Sequence, residues 1–203
     1  MQLPLPERVS QKTILLCRKE LKENSGKAVL RKIFSYYLKI KYGMPYLGEG
    51  FRWGYHWKMR REFTSIGNYT FLGSYAYTDY PLVIGDLTMI SAFFKIAGND
   101  HLFSSIGIPT RIAKPEKHYS DVLTIVESDV WIGMDVTIIH GIRIGRGSVI
   151  AAGSVVVDNV QPYTIVAGVP AHTIKMRFNS NSDLEQHIKN IYGDDVNPQL
   201  LIK

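Results

Sequence analysis

Cysteine is nearly absent: Cys17 stands alone in a chain of 203 residues. A single thiol cannot close an intrachain disulfide, so the fold has to be held by its core, and nothing in the composition asks for an oxidising compartment. Long apolar runs are missing as well, and no window approaches the roughly 20 residues of a membrane span. The opening MQLPLPERVS lacks the charged segment and apolar run of a secretory leader. These absences set a cytoplasmic location as the expectation. Acidic residues are scarce in one region only. Residues 1–62 hold 14 Lys+Arg and 5 Asp+Glu, whereas the other 141 hold 10 and 13, so +9 and −3 add to the net +6.

The basic segment reads as two helices. Ser10 can cap the first, which runs to about Asn24 with Ile14, Leu15, Arg18 and Leu21 at helical intervals. The second covers Lys27 to about Tyr42, with Val29, Leu30, Ile33, Phe34, Tyr37 and Leu38 as its apolar stripe and Arg31, Lys32, Lys39 and Lys41 elsewhere. Such a helix can lie on a membrane interface, pack on its own domain or a sister subunit, or present a solvated face. No nucleic-acid-binding motif accompanies the charge, so nucleic acid is not an expected partner. Residues 46–62, rich in Trp53, Tyr55, His56, Trp57, Arg60 and Arg61, are expected to cover an open end of the domain that follows.

That domain announces itself by a period of six. From Val126 the first place of each six is Val126, Ile132, Ile138, Ile144, Ile150 and Val156, all aliphatic, and the fifth place is small or β-branched throughout. Neither a helix (3.6) nor a free strand (2) repeats in this way; a parallel β-helix of short strands and tight corners does. The same phase starts at Ile66, with Ile66-Gly67, Leu72-Gly73 and Ile84-Gly85, and Thr78 breaks it, which predicts a bulge in the Tyr69–Tyr80 stretch. It fails over about 102–123, where Pro109 and Pro115 mark a long excursion of the kind that is usually functional. Beyond PYTIVAGVPAHTIKMRF (162–178), Ser182 and Glu185 fit a capping box for a last helix, with Leu184, Ile188 and Ile191 on one face and Gly193 as its stop. The expected organisation is therefore a helical and aromatic extension over 1–62, a β-helix over 63–178, and a capping helix with its tail over 179–203.

Asn99-Asp100-His101 at the mouth of the excursion, then DVWIGMDVTIIHGIRIG (129–145), AAGSVV (151–156) and the 162–178 stretch, follow in an order that resembles the hexapeptide-repeat acyltransferases, in particular their xenobiotic and polysaccharide O-acetyltransferase branches. The resemblance covers about residues 64–178 and is most specific from 125 onward. It implies an all-β core, a left-handed parallel β-helix of triangular section, with the α-helical N-terminal extension and C-terminal capping helix added to it. It also implies a homotrimer with active sites between subunits, and acetyl-CoA as acyl donor along the C-terminal coils.

On the same resemblance His101 is the catalytic residue. O-acetyl transfer asks for a neutral imidazole that takes the acceptor's proton as its oxygen attacks the thioester carbonyl and passes it to the leaving thiolate. Asn99 and Asp100 are candidates to orient the ring and touch the acceptor, and Tyr77 is one of several tyrosines able to stack on a sugar. Trp131, Gly133 and Met134 are expected along the pantetheine arm, Ala152 and Gly153 continue that wall, and Ala167, Gly168 and Pro170 border the adenine. Lys175 and Arg177 are expected at the phosphates. His172 and Asp158 stand where relatives carry basic residues, which weakens that phosphate site. A metal is not expected: the zinc site of the fold-related γ-type carbonic anhydrases needs three His, two of them close in sequence, and His101, His118 and His140 are too widely spaced. The leading expectation is acetyl transfer from acetyl-CoA to a hydroxyl of a cell-surface polysaccharide or its precursor. An antibiotic O-acetyltransferase of the chloramphenicol or streptogramin type, an amino-sugar N-acetyltransferase and a trimeric scaffold without chemistry are the alternatives.

Overall fold

Each run of six becomes one short strand and one corner, and three such runs close a turn of a triangular coil. A computed structural model describes residues 3–21, 25–41, 43–98, 101–113 and 122–193. The first sheet stacks β1 (Tyr46–Leu47), β4 (Thr64–Ile66), β7 (Leu82–Ile84), β10 (Thr124–Val126) and β13 (Arg143–Ile144) in that order, all parallel. The second stacks β2 (Arg52–Trp53), β5 (Phe71–Leu72), β8 (Met89–Ile90), β11 (Trp131–Ile132), β14 (Val149–Ile150) and β16 (Thr164–Gly168), and β17 (Ala171–Met176) turns back antiparallel on its edge. The third stacks β3 (Lys58–Met59), β6 (Tyr77–Thr78), β9 (Lys95–Ala97), β12 (Thr137–Ile139) and β15 (Val155–Val156).

The first-place aliphatics fill the prism. Ile66, Leu72, Ile84, Ile90, Ile96, Val126, Ile132, Ile138, Ile144, Ile150 and Val156 are all buried in one core cluster, each worth about 1.5–3 kcal/mol for full burial. At the corners the fourth place takes the left-handed conformation, at Tyr69, Tyr75, Leu87, Phe93, Asp129 and Asp135 and then at Gly147 and Gly153. Glycine at the second place has another cause, which is close stacking. A Cβ on Gly85 would lie 2.5 Å from the backbone nitrogen of Ser128 in the coil above.

The coil begins earlier than the expected boundary at 63. Residues 46–59 form its first turn, so the aromatic stretch read as a cover is the end coil itself. Leu47, Trp53 and Met59 are six apart, but a 3-10 turn at Arg61–Phe63 adds one residue and Ile66 falls seven after Met59, so a count in sixes from Ile66 loses the phase. No bulge forms at Thr78: its side chain is buried, and its hydroxyl accepts from the Tyr80 N–H at 3.0 Å.

The open end is closed by α2 (Ser25–Lys41), whose Leu38 is buried with Met44 and Phe51 while Phe34 stacks on Trp53 at 5.0 Å. Of the expected stripe only Leu38 is buried; Val29, Leu30, Ile33, Phe34 and Tyr37 are exposed. The packed face is turned away from the more apolar one. α1 (Gln11–Glu20) is capped by Ser10, whose hydroxyl accepts from the Thr13 N–H, and ends at Glu20 rather than Asn24, which lies outside the described residues. α3 (Asn181–Tyr192) is capped by Ser180, not Ser182, and ends at Gly193. It covers Tyr163 of the last coil with Leu184 and Ile188, and it runs back along the corner between the first and second sheets, where His187 meets Asp129 and Tyr192 meets Ser128.

The segment before α1 lies along that same corner. Asp86, fully buried, accepts from the N–H groups of Asn68 (2.6 Å) and Val9 (3.2 Å). The Glu7 carboxylate accepts from the N–H and hydroxyl of Ser128 (2.8 and 2.6 Å) and pairs with Arg146 at 2.8 Å. Arg146 and Arg143 both bind the buried Glu127. The Ser10 N–H donates to the Ile191 carbonyl at 2.9 Å, which joins α1 to α3. No described helix is long and apolar enough to cross a membrane.

Candidate functional site

The corner between the second and third sheets carries most of the residues expected around the cofactor. Gly133 sits directly below Ala152, and a Cβ on it would meet the Ala152 nitrogen at 2.5 Å. The Gly153 N–H donates to the Met134 carbonyl (2.8 Å), and the Gly168 N–H reaches the Ser154 hydroxyl (3.3 Å). Met134, Ala152, Gly153, Gly168 and Pro170 are all exposed, so three successive coils present a shallow furrow of small residues. Trp131 flanks it from β11 with about half its surface exposed. Ala167 lies one residue inside the hairpin that joins β16 to β17.

The cationic end differs from expectation. Arg177 is not at the furrow. Its guanidinium donates to the Asp129 carboxylate (2.7 Å), the Asp129 carbonyl (3.3 Å) and the Gly147 carbonyl (3.0 Å), at the corner between the first and second sheets. Those bonds, all from Nη1, hold the segment before α3 to the coil and engage the guanidinium away from the furrow. Lys175 is exposed and pairs in register with Ile165, whereas His172 pairs with Ala167 and lies nearer the furrow. The hairpin register decides this order, and residue counting does not reveal it.

The excursion leaves from a different corner. β9 ends at Ala97, the Tyr80 hydroxyl packs where Gly98 lacks a side chain, and His101 follows, exposed and without a hydrogen bond from its ring among the described residues. Asn99, Asp100 and His118 lie outside the described residues. The returning end meets this corner too, with Val122 against Gly141. Between the two ends sits His140, whose N–H donates to the Ala97 carbonyl (2.8 Å) and whose ring stacks on Tyr80 at 4.8 Å. Burial pushes its pKa down, in favour of the neutral imidazole. The ring is half-buried, with Tyr80 stacked on it, and no signal within one repeat marks that. Tyr77 is exposed on the third sheet, its hydroxyl bonded to Asp79 and the Lys58 ammonium 5.2 Å from its ring centre. Among the described residues no three His, Cys, Asp or Glu side chains cluster as a metal site.

The furrow at one corner and His101 at another are therefore not brought together within one chain. On the face of the second sheet, Phe71, Met89 and Trp131 stand in register and exposed, and Tyr75 stacks flat on Phe93 (5.0 Å) at the furrow's own corner. Apolar surface of this extent usually marks an interface.

Comparison with known proteins fits this architecture. Residues 123–158 match the family described as bacterial transferase hexapeptide (six repeats). A chloramphenicol acetyltransferase of Klebsiella aerogenes is 38% identical over 109 residues, covering 48% of this chain and 52% of that one. A probable macrolide acetyltransferase of Lysinibacillus sphaericus is 54% identical over 55 residues, 27% of this chain and 31% of that one. The chain thus spans about half the length, or less, of these curated relatives. Among solved structures, a maltose O-acetyltransferase from Clostridium difficile 630 superposes with a TM-score of 0.54 at 22% identity, covering 83% of this chain and 88% of that one. A hexapeptide-repeat acetyltransferase from Vibrio cholerae gives 0.52 at 23%, covering 75% and 94%; at these identities the likeness is one of fold. On its repeat and on its coil, the chain is a parallel β-helix whose residues 123–158 are similar to the bacterial transferase hexapeptide proteins.

Proposed function

We propose that the chain is an acetyl-CoA-dependent O-acetyltransferase acting on a hydroxyl of a sugar in the cytoplasm, with His101 as general base. The observation that carries this reading is the exposed furrow of Ala152, Gly153 and Gly168 beside Trp131, since only small residues let an extended pantetheine arm lie against the backbone. Relatives named as acetyltransferases, 54% and 38% identical over part of the chain, support it. Ala167 and Pro170 border the adenine end, and Lys175 supplies a cationic donor for the phosphates.

In the reaction the His101 imidazole accepts the hydroxyl proton as the acceptor oxygen forms its bond to the thioester carbonyl carbon. Collapse breaks the carbon–sulfur bond, and the proton passes to the thiolate, leaving an acetate ester and CoA. Asn99, Asp100 and the Tyr77 ring contribute to holding the acceptor. A homotrimer completes the site by bringing the excursion of one chain over the furrow of the next, with the Phe71–Met89–Trp131 face covered in the process. A second reading, an antibiotic hydroxyl as acceptor, draws on the relatives named for chloramphenicol and macrolides.

The test is release of free thiol from acetyl-CoA with a panel of sugar and antibiotic acceptors. Acceptor-dependent release that falls by about 10²–10⁴ in His101→Ala is the expected result, and the productive acceptor separates the two readings. Failure to bind CoA at millimolar concentration in a calorimeter would overturn both.

A further inference from the structure

α2 has two faces, and the apolar one is outside. Leu38 turns into the core, and the Arg31 guanidinium reaches the Phe51 carbonyl (3.4 Å) and lies 5.7 Å from the Trp53 ring centre. On the opposite side Val29, Leu30, Ile33, Tyr36, Tyr37 and Ile40 share one arc of about 120° at 3.6 residues per turn. Val29, Ile33 and Ile40 are 56%, 61% and 64% exposed, and Leu30 and Tyr36 are each 69% exposed. This stripe is flanked on one side by Lys27 and Lys41 and on the other by Lys32 and Lys39, all exposed. The helix contains five cations and no acidic residue.

We infer that α2 docks the protein on an anionic lipid bilayer, with its axis in the plane of the surface. An apolar arc bordered by lysines on both edges matches the layering of such a surface, aliphatic side chains entering the acyl boundary and ammonium groups staying among the headgroup phosphates. Tyr36 and Tyr37 suit the boundary itself, where an apolar ring with a polar tip is stable. A second copy of the same face is the poorer occupant. A two-fold contact would bring five cations against five with no carboxylate on either helix. Among the described residues, the contacts that close the coil end lie on the other side of α2.

Flotation of the full chain with vesicles tests this, using phosphatidylglycerol mixed into phosphatidylcholine against phosphatidylcholine alone. At least tenfold more protein is expected on the anionic vesicles, with binding weakened by salt. The double variant I33E/I40E, whose changes point to solvent and leave Leu38 and Trp53 in place, is expected to lose that binding while keeping the parent's circular dichroism and melting temperature. Equal retention of parent and variant on anionic vesicles, or no vesicle binding by the parent, overturns the inference. So does a fall in solution mass by light scattering in the variant, which would make the stripe a contact between copies. Vesicle binding is read without acetyl-CoA or acceptor, so its absence would leave acetyl transfer standing.

Discussion

Arg177 holds Asp129 and Gly147 while Lys175, two residues before it, reaches solvent, and the two substitutions should separate accordingly. Arg177→Ala breaks three hydrogen bonds of a charged donor beside the half-buried Asp129–His187 pair, and a stability loss of about 2 kcal/mol is expected in urea unfolding, with CoA affinity unchanged in calorimetry. Lys175→Ala should leave the unfolding curve in place and weaken CoA about threefold, the scale of one exposed ion pair. The corner that carries the candidate site was legible at this scale. Gly133, Ala152 and Gly153 fall on one corner because each run of six sets its second to fourth places there. His140, Arg177 and His172 were not legible in the same way, because their surroundings are set by a stacked ring, a helix packed on the coil and a hairpin register, all long-range.

Among the elements, the coil is the most plainly written and the most sensitive to a single methyl group. Gly85→Ala places a Cβ 2.5 Å from Ser128 N and 2.6 Å from Glu127 C, both backbone and neither able to rotate away. The two coils must separate locally, and a loss of about 1–3 kcal/mol is expected, measured as a lower urea midpoint with an unchanged slope. The first turn shows the limit of counting: Leu47, Trp53 and Met59 obey the rule, and one extra residue in the Arg61–Phe63 turn hides them. α2 shows another limit. Helical periodicity locates an apolar stripe but does not say which way it faces, and here one leucine and a cation over Trp53 hold the helix to the coil while the stripe looks outward.

The whole molecule keeps its furrow and its excursion on separate corners, so under the proposed mechanism the working unit is an assembly. Chains carrying His101→Ala, mixed and co-refolded with chains carrying Ala152→Trp, should regain thiol release, whereas each variant alone falls by at least about 10²-fold. No recovery in a mixed trimer would require both groups to act from one chain. The acceptor was beyond the reach of the sequence because the excursion breaks the repeat that makes the rest predictable. One feature of the corner bears on how the molecule comes apart. A solenoid couples only adjacent turns, and such chains fray from their ends. Here a single segment bonds Asp86 through Val9 and Ser128 and Arg146 through Glu7, and then grips Ile191 through Ser10. That lace spans the third to the fifth coil and bridges the point where the excursion interrupts the chain. Turns that would otherwise melt in sequence share one clasp, and the coil gains the all-or-none cooperativity of a globular domain.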